Sequence, residues 1–160
     1  KSSGLRTFLI GVSFALLDLA NNFAPDLEGT IVMETGGMKG RRKEITRNEL
    51  HEILKEKFNV ASIHSEYGMT ELLSQAYSSG NGIFFCPPWM KILIRDTRDP
   101  LSVTFNGGEA GGINVIDLAN IFSCSFVATG DYGKLAGNGG FEVSGRFDNT
   151  DIRGCNLMAD

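Results

Sequence analysis

Ser65-Glu66-Tyr67-Gly68-Met69-Thr70-Glu71 is the stretch on which the reading of this chain turns. Just before it, Val60 to Ile63 forms a short apolar run of strand type, and Met69 to Tyr77 has the make-up of a helix after a loop. The residues suit an adenine nucleotide with magnesium. Tyr67 offers a flat ring to the base, Thr70 a hydroxyl to phosphate and Glu71 a carboxylate to the cation, while Gly68 lets the backbone come close. The plainer reading of the same letters is a helix start, with Thr70 as cap and Glu71 favouring the positive amino end.

Upstream, strand and helix alternate. Thr7 to Ile10 reads as a buried strand, and Ser13 as the cap of a helix over Phe14 to Asn22, with Phe14, Leu17 and Phe23 near helical spacing and Pro25 ending it. Thr30 to Met33 is a second strand. Thr46-Arg47-Asn48-Glu49 is a capping box, and Leu50, Ile53, Leu54 and Phe58 then follow one helical face. Downstream, Pro87-Pro88 marks a boundary. Short apolar runs follow at Ile92–Ile94, Val103–Phe105, Ile113–Ile116, Phe122–Ala128 and Phe141–Val143, with turn residues between them. The expected fold class is α/β over residues 1–85, followed by a β-rich subdomain over 86–160, a small antiparallel sheet or distorted barrel.

At 160 residues and 42% hydrophobic, the chain can bury the core of one domain or of two small lobes. A formal net charge of -4 gives no electrostatic reason to expect nucleic acid or an anionic membrane as partner. The apolar stretch Leu5 to Leu19 is broken by Arg6, Gly11, Ser13 and Asp18, too short for a bilayer span and without the pattern of a signal peptide. Cys86, Cys124 and Cys155 are an odd number without metal-type spacing, which points away from a disulfide framework and toward a reducing cytoplasm. Lys1-Ser2-Ser3-Gly4 lacks an initiator Met, so a fragment is expected.

Further motifs stand in order around the first. Thr35-Gly36-Gly37-Met38-Lys39-Gly40 lies upstream. Gly107-Gly108-Glu109-Ala110-Gly111-Gly112, Thr129-Gly130-Asp131 and Gly145-Arg146-Phe147-Asp148 lie downstream. The set resembles the adenylate-forming superfamily of acyl-CoA synthetases, firefly-type luciferases and adenylation domains. That resemblance implies the carboxyl-terminal part of such an enzyme's large domain. It also implies ATP and Mg2+ as cofactors, with Gly36-Gly37 walling the adenine pocket and Tyr67, Gly68, Thr70 and Glu71 taking adenine, phosphate and magnesium. Asp131 would hold the ribose and Arg146 the ribose or phosphate. Glu34 to Gly40, Ser65 to Gln75, Asp117-Leu118-Ala119-Asn120 and Asp151 to Met158, with Gly11 to Leu19, narrow the resemblance to the LuxE-type acyl-protein synthetases. Such an enzyme activates a fatty acid, or another carboxylic acid, as acyl-AMP. It then passes the acyl group to its own cysteine and on to a reductase or acyltransferase partner.

Among the cysteines, Cys124 shares an alternating face with Phe122 and Phe126 and reads as a core thiol, and Cys86 before Pro87 as structural. Cys155, beside Gly154 and near Arg153, is the candidate nucleophile, because a nearby guanidinium favours the thiolate. The resemblance also places an acylated cysteine near the chain end. Thr70, Glu71 and Cys155 are thus the candidate catalytic residues. His51 reads as a surface residue and His64 as structural; the basic run Lys39, Arg41, Arg42 and Lys43 reads as a solvated loop. Two other readings stay open: a CoA ligase resembling the phenylacetate-CoA ligases, with CoA in place of Cys155, and a non-catalytic scaffold that keeps the fold. The family's Ser/Thr/Gly-rich phosphate loop is absent, which implies residues ahead of Lys1. Without that clamp the chain alone is expected to bind nucleotide weakly and turn over little substrate. A normal turnover rate measured on the isolated chain would refute this.

Overall fold

The computed structural model describes residues 4–36, 45–105 and 108–147. The chain divides into two compact units: residues up to Gly68 with Gln75–Phe84, and Met69–Ser74 with the residues from Phe85 onward.

The first unit holds β1 (Phe8–Val12), α1 (Ser13–Asn22), β2 (Ile31–Thr35), α2 (Arg47–Phe58), β3 (Ile63–Tyr67), β4 (Ala76–Ser78) and β5 (Ile83–Phe84). β1, β2 and β3 run parallel, with Leu9 beside Val32 and Val32 beside Ile63, and β4 pairs antiparallel to β3. The two helices cross back over one face of this sheet. Leu16, Leu17 and Ala20 of α1 and Leu50, Leu54 and Phe58 of α2 meet Val32 and Ile63 in one buried cluster. Each of the larger side chains among them contributes about 1.5–3 kcal/mol on leaving water. The opposite face leaves Phe8 and Ile10 exposed, and Phe23, expected with the helical stripe, is exposed as well.

The capping box forms as its spacing predicts. Thr46 Oγ1 accepts from the Glu49 amide at 3.2 Å, and the Glu49 carboxylate accepts from the Thr46 amide at 2.8 Å. Ser13, by contrast, does not cap α1, which begins at Ser13 itself after an uncapped Val12. Its hydroxyl serves a buried carboxylate instead. Ser13 Oγ lies 3.0 Å from Glu34 Oε2 and 2.9 Å from the Gly36 carbonyl. Glu34 is 2% exposed on β2, with Arg47 Nε at 3.2 Å and His51 Nε2 at 3.6 Å from its other oxygen. His51 Nε2 also stands 3.3 Å from Ser65 Oγ. His51, expected on the surface, is therefore buried, drawn inward by this cluster. Helical periodicity does not report such a polar partner across the sheet.

The second unit holds β6 (Met90–Arg95), β7 (Val103–Thr104), β8 (Gly111–Asp117), a 3-10 turn (Leu118–Asn120), β9 (Phe126–Leu135) and β10 (Phe141–Arg146). These five strands form an antiparallel sheet in the order β10-β9-β8-β6-β7, the first of the two expected β forms. Ile92, Ile94, Ile113, Val115 and Phe141 are buried in it. Gly133 makes room for the ladder: a Cβ there would collide with the Glu142 carbonyl of β10 and come 2.8 Å from Ile113. The apolar run at Phe122 does not open a strand. Residues up to Ser125 turn, and β9 starts at Phe126.

The helix expected over Met69 to Tyr77 is absent. Residues 69–75 are irregular and Ala76–Ser78 is strand β4. The amides of Leu73 and Ser74, which a helix would direct at carbonyls four residues back, donate instead to the Asp117 carboxylate at 2.9 and 2.8 Å. The helix-start reading of Thr70 and Glu71 falls with it.

Burial pushes the Glu34 carboxyl up, but its bonds to His51, Ser65 and Ser13 and the Arg47 charge outweigh that and hold it below its ordinary 4.5. A lowered folded value stabilises the unit fully above the ordinary value and is lost as pH falls through the folded one. Urea unfolding across acid pH should show that loss in the unaltered chain and a flatter profile in Glu34→Gln.

Candidate functional site

The Thr129-Gly130-Asp131 motif is an irregularity inside β9. Gly112 of β8 pairs with Tyr132 and Asn114 pairs with Ala128, so Ile113 alone faces Thr129, Gly130 and Asp131. Carbonyls at such a bulge have no ladder partner. Here Arg95, the last residue of β6, supplies the donors. Its Nη1 donates to the Ile113 carbonyl at 3.0 Å and to Asn114 Oδ1 at 2.7 Å, and its Nη2 donates to the Thr129 carbonyl at 2.6 Å. Thr129 Oγ1 adds a second donor to Ile113 at 2.8 Å and accepts from the Asp131 amide at 3.1 Å. The Phe147 ring covers the guanidinium at 5.6 Å and is itself met edge-on by Tyr132 at 5.2 Å. Gly112 is required beneath it, because a Cβ there would strike the Arg95 side chain.

A second bulge sets the partner of Asp131. Val143 of β10 pairs with Gly133 and Gly145 with Tyr132, which leaves Ser144 unpaired and sets Arg146 directly opposite Asp131. Arg146 Nε lies 3.6 Å from Asp131 Oδ1, with Arg146 70% exposed and Asp131 15%. Of the sequence-predicted residues, these two are brought together by geometry. Asp148 lies outside the described residues.

Thr70 and Glu71 are both exposed on the irregular segment that replaces the expected helix. Behind them, the Asp117 carboxylate also accepts from Ser74 Oγ at 2.6 Å and the Ala119 amide at 3.1 Å. Trp89 Nε1 donates to Ser74 Oγ at 2.9 Å. Asn120 Nδ2 donates to the Glu71 carbonyl at 2.8 Å and the Cys124 carbonyl at 3.0 Å. Burial raises the Asp117 carboxyl, yet the donors from Ser74, Ala119 and Leu73 more than offset it and hold the group below the usual aspartate range.

In the first unit, parallel pairing puts the carboxyl ends of β2 and β3 at one sheet edge, where Gly36 and the Tyr67-Gly68 pair emerge. This is the edge at which parallel sheets take ligands. Gly36 has φ of 71°, a left-handed conformation that costs glycine little. Gly37 lies outside the described residues. Tyr67 is not an open platform: it is 7% exposed, with its ring edge-on to Phe84 at 6.0 Å.

Cys124, expected in the core, is exposed, as are Phe122 and Phe126. The alternating letters span a turn, where period two has no meaning. Cys86 is partly buried, and burial pushes its thiol up to about 11, consistent with a structural residue. Cys155 lies outside the described residues. No helix among the described residues is long and apolar enough to cross a membrane.

Arg95 and Trp89 were not singled out by sequence. A charged residue closing the apolar run Ile92 to Ile94 was the available signal for the first.

No family model and no curated protein matches the sequence. The fold does match solved structures. Coronafacic acid ligase from Pectobacterium brasiliense aligns with a TM-score of 0.64 at 18% identity, over 87% of this chain and 29% of that one. ATP-bound MatB from Rhodopseudomonas palustris gives 0.65 at 18%, over 88% and 31%. The amide bond synthetase McbA from Marinactinospora thermotolerans gives 0.64 at 18%, over 89% and 32%. The chain therefore has the fold of the carboxyl-terminal part of adenylate-forming enzymes and spans less than a third of the length of these structures.

Replacing Arg95 by Leu should leave the Thr129 carbonyl without its donor, while the Ile113 carbonyl keeps Thr129 Oγ1, and cost about 1–3 kcal/mol for that one buried group. Urea unfolding would measure this, with Arg95→Lys recovering only part, since an ammonium lacks the planar fork.

Proposed function

We propose that this chain is the nucleotide-handling part of a ligase that activates a carboxylic acid with ATP. The observation that carries the reading is the bulged Thr129-Gly130-Asp131 turn with Arg146 registered opposite Asp131, within a fold otherwise seen in adenylate-forming ligases. A carboxylate 15% exposed beside a 70% exposed guanidinium suits a ribose diol on one side and a phosphate on the other.

In this reading the substrate carboxylate attacks the α-phosphorus of ATP. The bond to the pyrophosphate oxygen breaks, and acyl-AMP and pyrophosphate form. Asp131 binds the ribose hydroxyls, Arg146 the ribose or phosphate, and Thr70 donates its hydroxyl to phosphate. Gly36, Gly37, Tyr67 and Gly68 serve the adenine side, Tyr67 as a largely buried ring packed against Phe84. Glu71 is an exposed oxygen donor, and among the described residues no group of three or more His, Cys, Asp or Glu could hold a metal. That donor set fits magnesium carried largely by the phosphates and water, with one protein carboxylate. When bound, the ion would neutralise phosphate charge.

The finer proposal is the acyl-protein synthetase chemistry that the LuxE-type resemblance implies, with a fatty acid as substrate. The Cys155 thiolate attacks the acyl carbonyl of acyl-AMP, the thioester forms and AMP leaves. Half-buried Cys86, its thiol raised to about 11, is poorly suited to that attack.

The test is intact mass spectrometry of the natural protein carrying this chain, incubated with ATP, magnesium and fatty acids. The expected result is an ATP-dependent acyl adduct that is lost in Cys155→Ala and kept in Cys124→Ser. AMP release only on adding CoA would move the chain to the CoA ligases. Absence of both, with no ATP-dependent pyrophosphate exchange, would leave a scaffold. Asp131→Asn should raise the KM for ATP roughly tenfold or more, the worth of a charged hydrogen bond.

A further inference from the structure

The segment Thr70–Ser74 has neither a helix nor a strand ladder to define its backbone, although Thr70 and Glu71 point into solvent from it. Besides one turn bond from the Leu72 amide to the Met69 carbonyl at 3.1 Å, its shape comes from side chains far along the chain. Asp117, 0% exposed at the end of β8, lies 43 and 44 residues from the amides it binds, and Asn120, 6% exposed, lies 49 residues from the carbonyl it binds. Both Nδ2 hydrogens of Asn120 are used, on the Glu71 and Cys124 carbonyls. The Ser74 hydroxyl donates to Asp117 and accepts from Trp89. Taking a carboxylate out of water is costly, and a local helix would satisfy the same amides without it. A buried charge in its place holds residues 70 and 71 in an outward, non-helical course.

We infer that Asp117 and Asn120 are positioning residues for the magnesium-nucleotide: they fix the backbone that presents Thr70 and Glu71, without touching the ligand themselves. The inference rests on the ATP-ligase reading above. Asp117 anchors the far end of the segment through Leu73 and Ser74, and Asn120 anchors Glu71 at its own carbonyl. The carbonyl of Glu71 is thereby turned inward while its side chain stays exposed. The Asp117-Leu118-Ala119-Asn120 spacing suits this, because the 3-10 turn brings position 120 back beside position 117, with the Ala119 amide bonded to Asp117 at 3.1 Å.

The test is ATP-dependent pyrophosphate exchange by the natural protein carrying this chain, titrated with magnesium, in Asp117→Asn and Asn120→Ala, with thermal unfolding recorded in parallel. Loss of an outer partner of a metal ligand typically costs about 10–100-fold. The expected result is a rise of that order in the magnesium concentration for half-maximal exchange, or an equal fall in kcat at saturating magnesium, with the KM for ATP at saturating magnesium little changed. Ser74→Ala, which keeps both backbone donors to Asp117, should show a smaller effect of the same kind. If Asp117→Asn does not fold, Asn120→Ala carries the test, since it removes one neutral donor and leaves the buried charge paired. A lower Tm with magnesium dependence and kcat as in the unsubstituted protein would overturn the inference and leave a structural clamp. No exchange by the unsubstituted protein would instead overturn the ligase reading, and this inference with it.

Discussion

Where one residue of β8 faces three of β9, carbonyl oxygens are left without amides, and the Arg95 guanidinium takes them. Much of the second unit follows from that constraint. Arg95 can lie across the sheet only because Gly112 has no side chain under it. Phe147 and Tyr132 close over the guanidinium from the other side. A fork of donors fixed in one plane holds the bulge in one shape, as a flexible ammonium would not. The position of Asp131 is inherited from this contact.

Each unit also spends a buried carboxylate on a neighbouring loop. In the first, Glu34 ties Ser13, and through its hydroxyl the Gly36 carbonyl, to the amino ends of the helices. In the second, Asp117 ties residues 73 and 74 to β8. Both groups sit below their ordinary range against the pull of burial, because hydrogen bonds to the ionised form outweigh desolvation.

What was legible in the sequence was what is local. The capping box at Thr46 needs only residues 46 and 49, and it formed as read. The face of Leu50, Leu54 and Phe58 is periodic within one helix and is buried. The order of elements, parallel α/β then antiparallel β, followed from runs and turns. Illegible features all depend on distant partners. Nothing in residues 69–77 says that their amides will be claimed from position 117, so a helix was expected. Ser13 looks like a cap because Glu34 is 21 residues away. Cys124 looks buried in the sequence because the alternation runs through a turn. At the candidate site, the motif letters were visible, whereas the side chains that shape them, Arg95, Trp89, Asp117 and Asn120, could be assigned a task only once the strands were in register.

The unpaired Ser144 has a bearing on how such chains are recognised. It shifts β10 by one position, so that Arg146 meets Asp131 where an unbroken ladder would set it against Gly130. Inserting one residue into the ladder at that point, with the bulge kept to a single residue, would leave Thr-Gly-Asp and Gly-Arg intact in spelling while separating them in space. A comparison by text would score the two sequences almost alike, and a comparison by parity would not. Motifs carried on paired strands are therefore better described by their register to one another than by their letters alone.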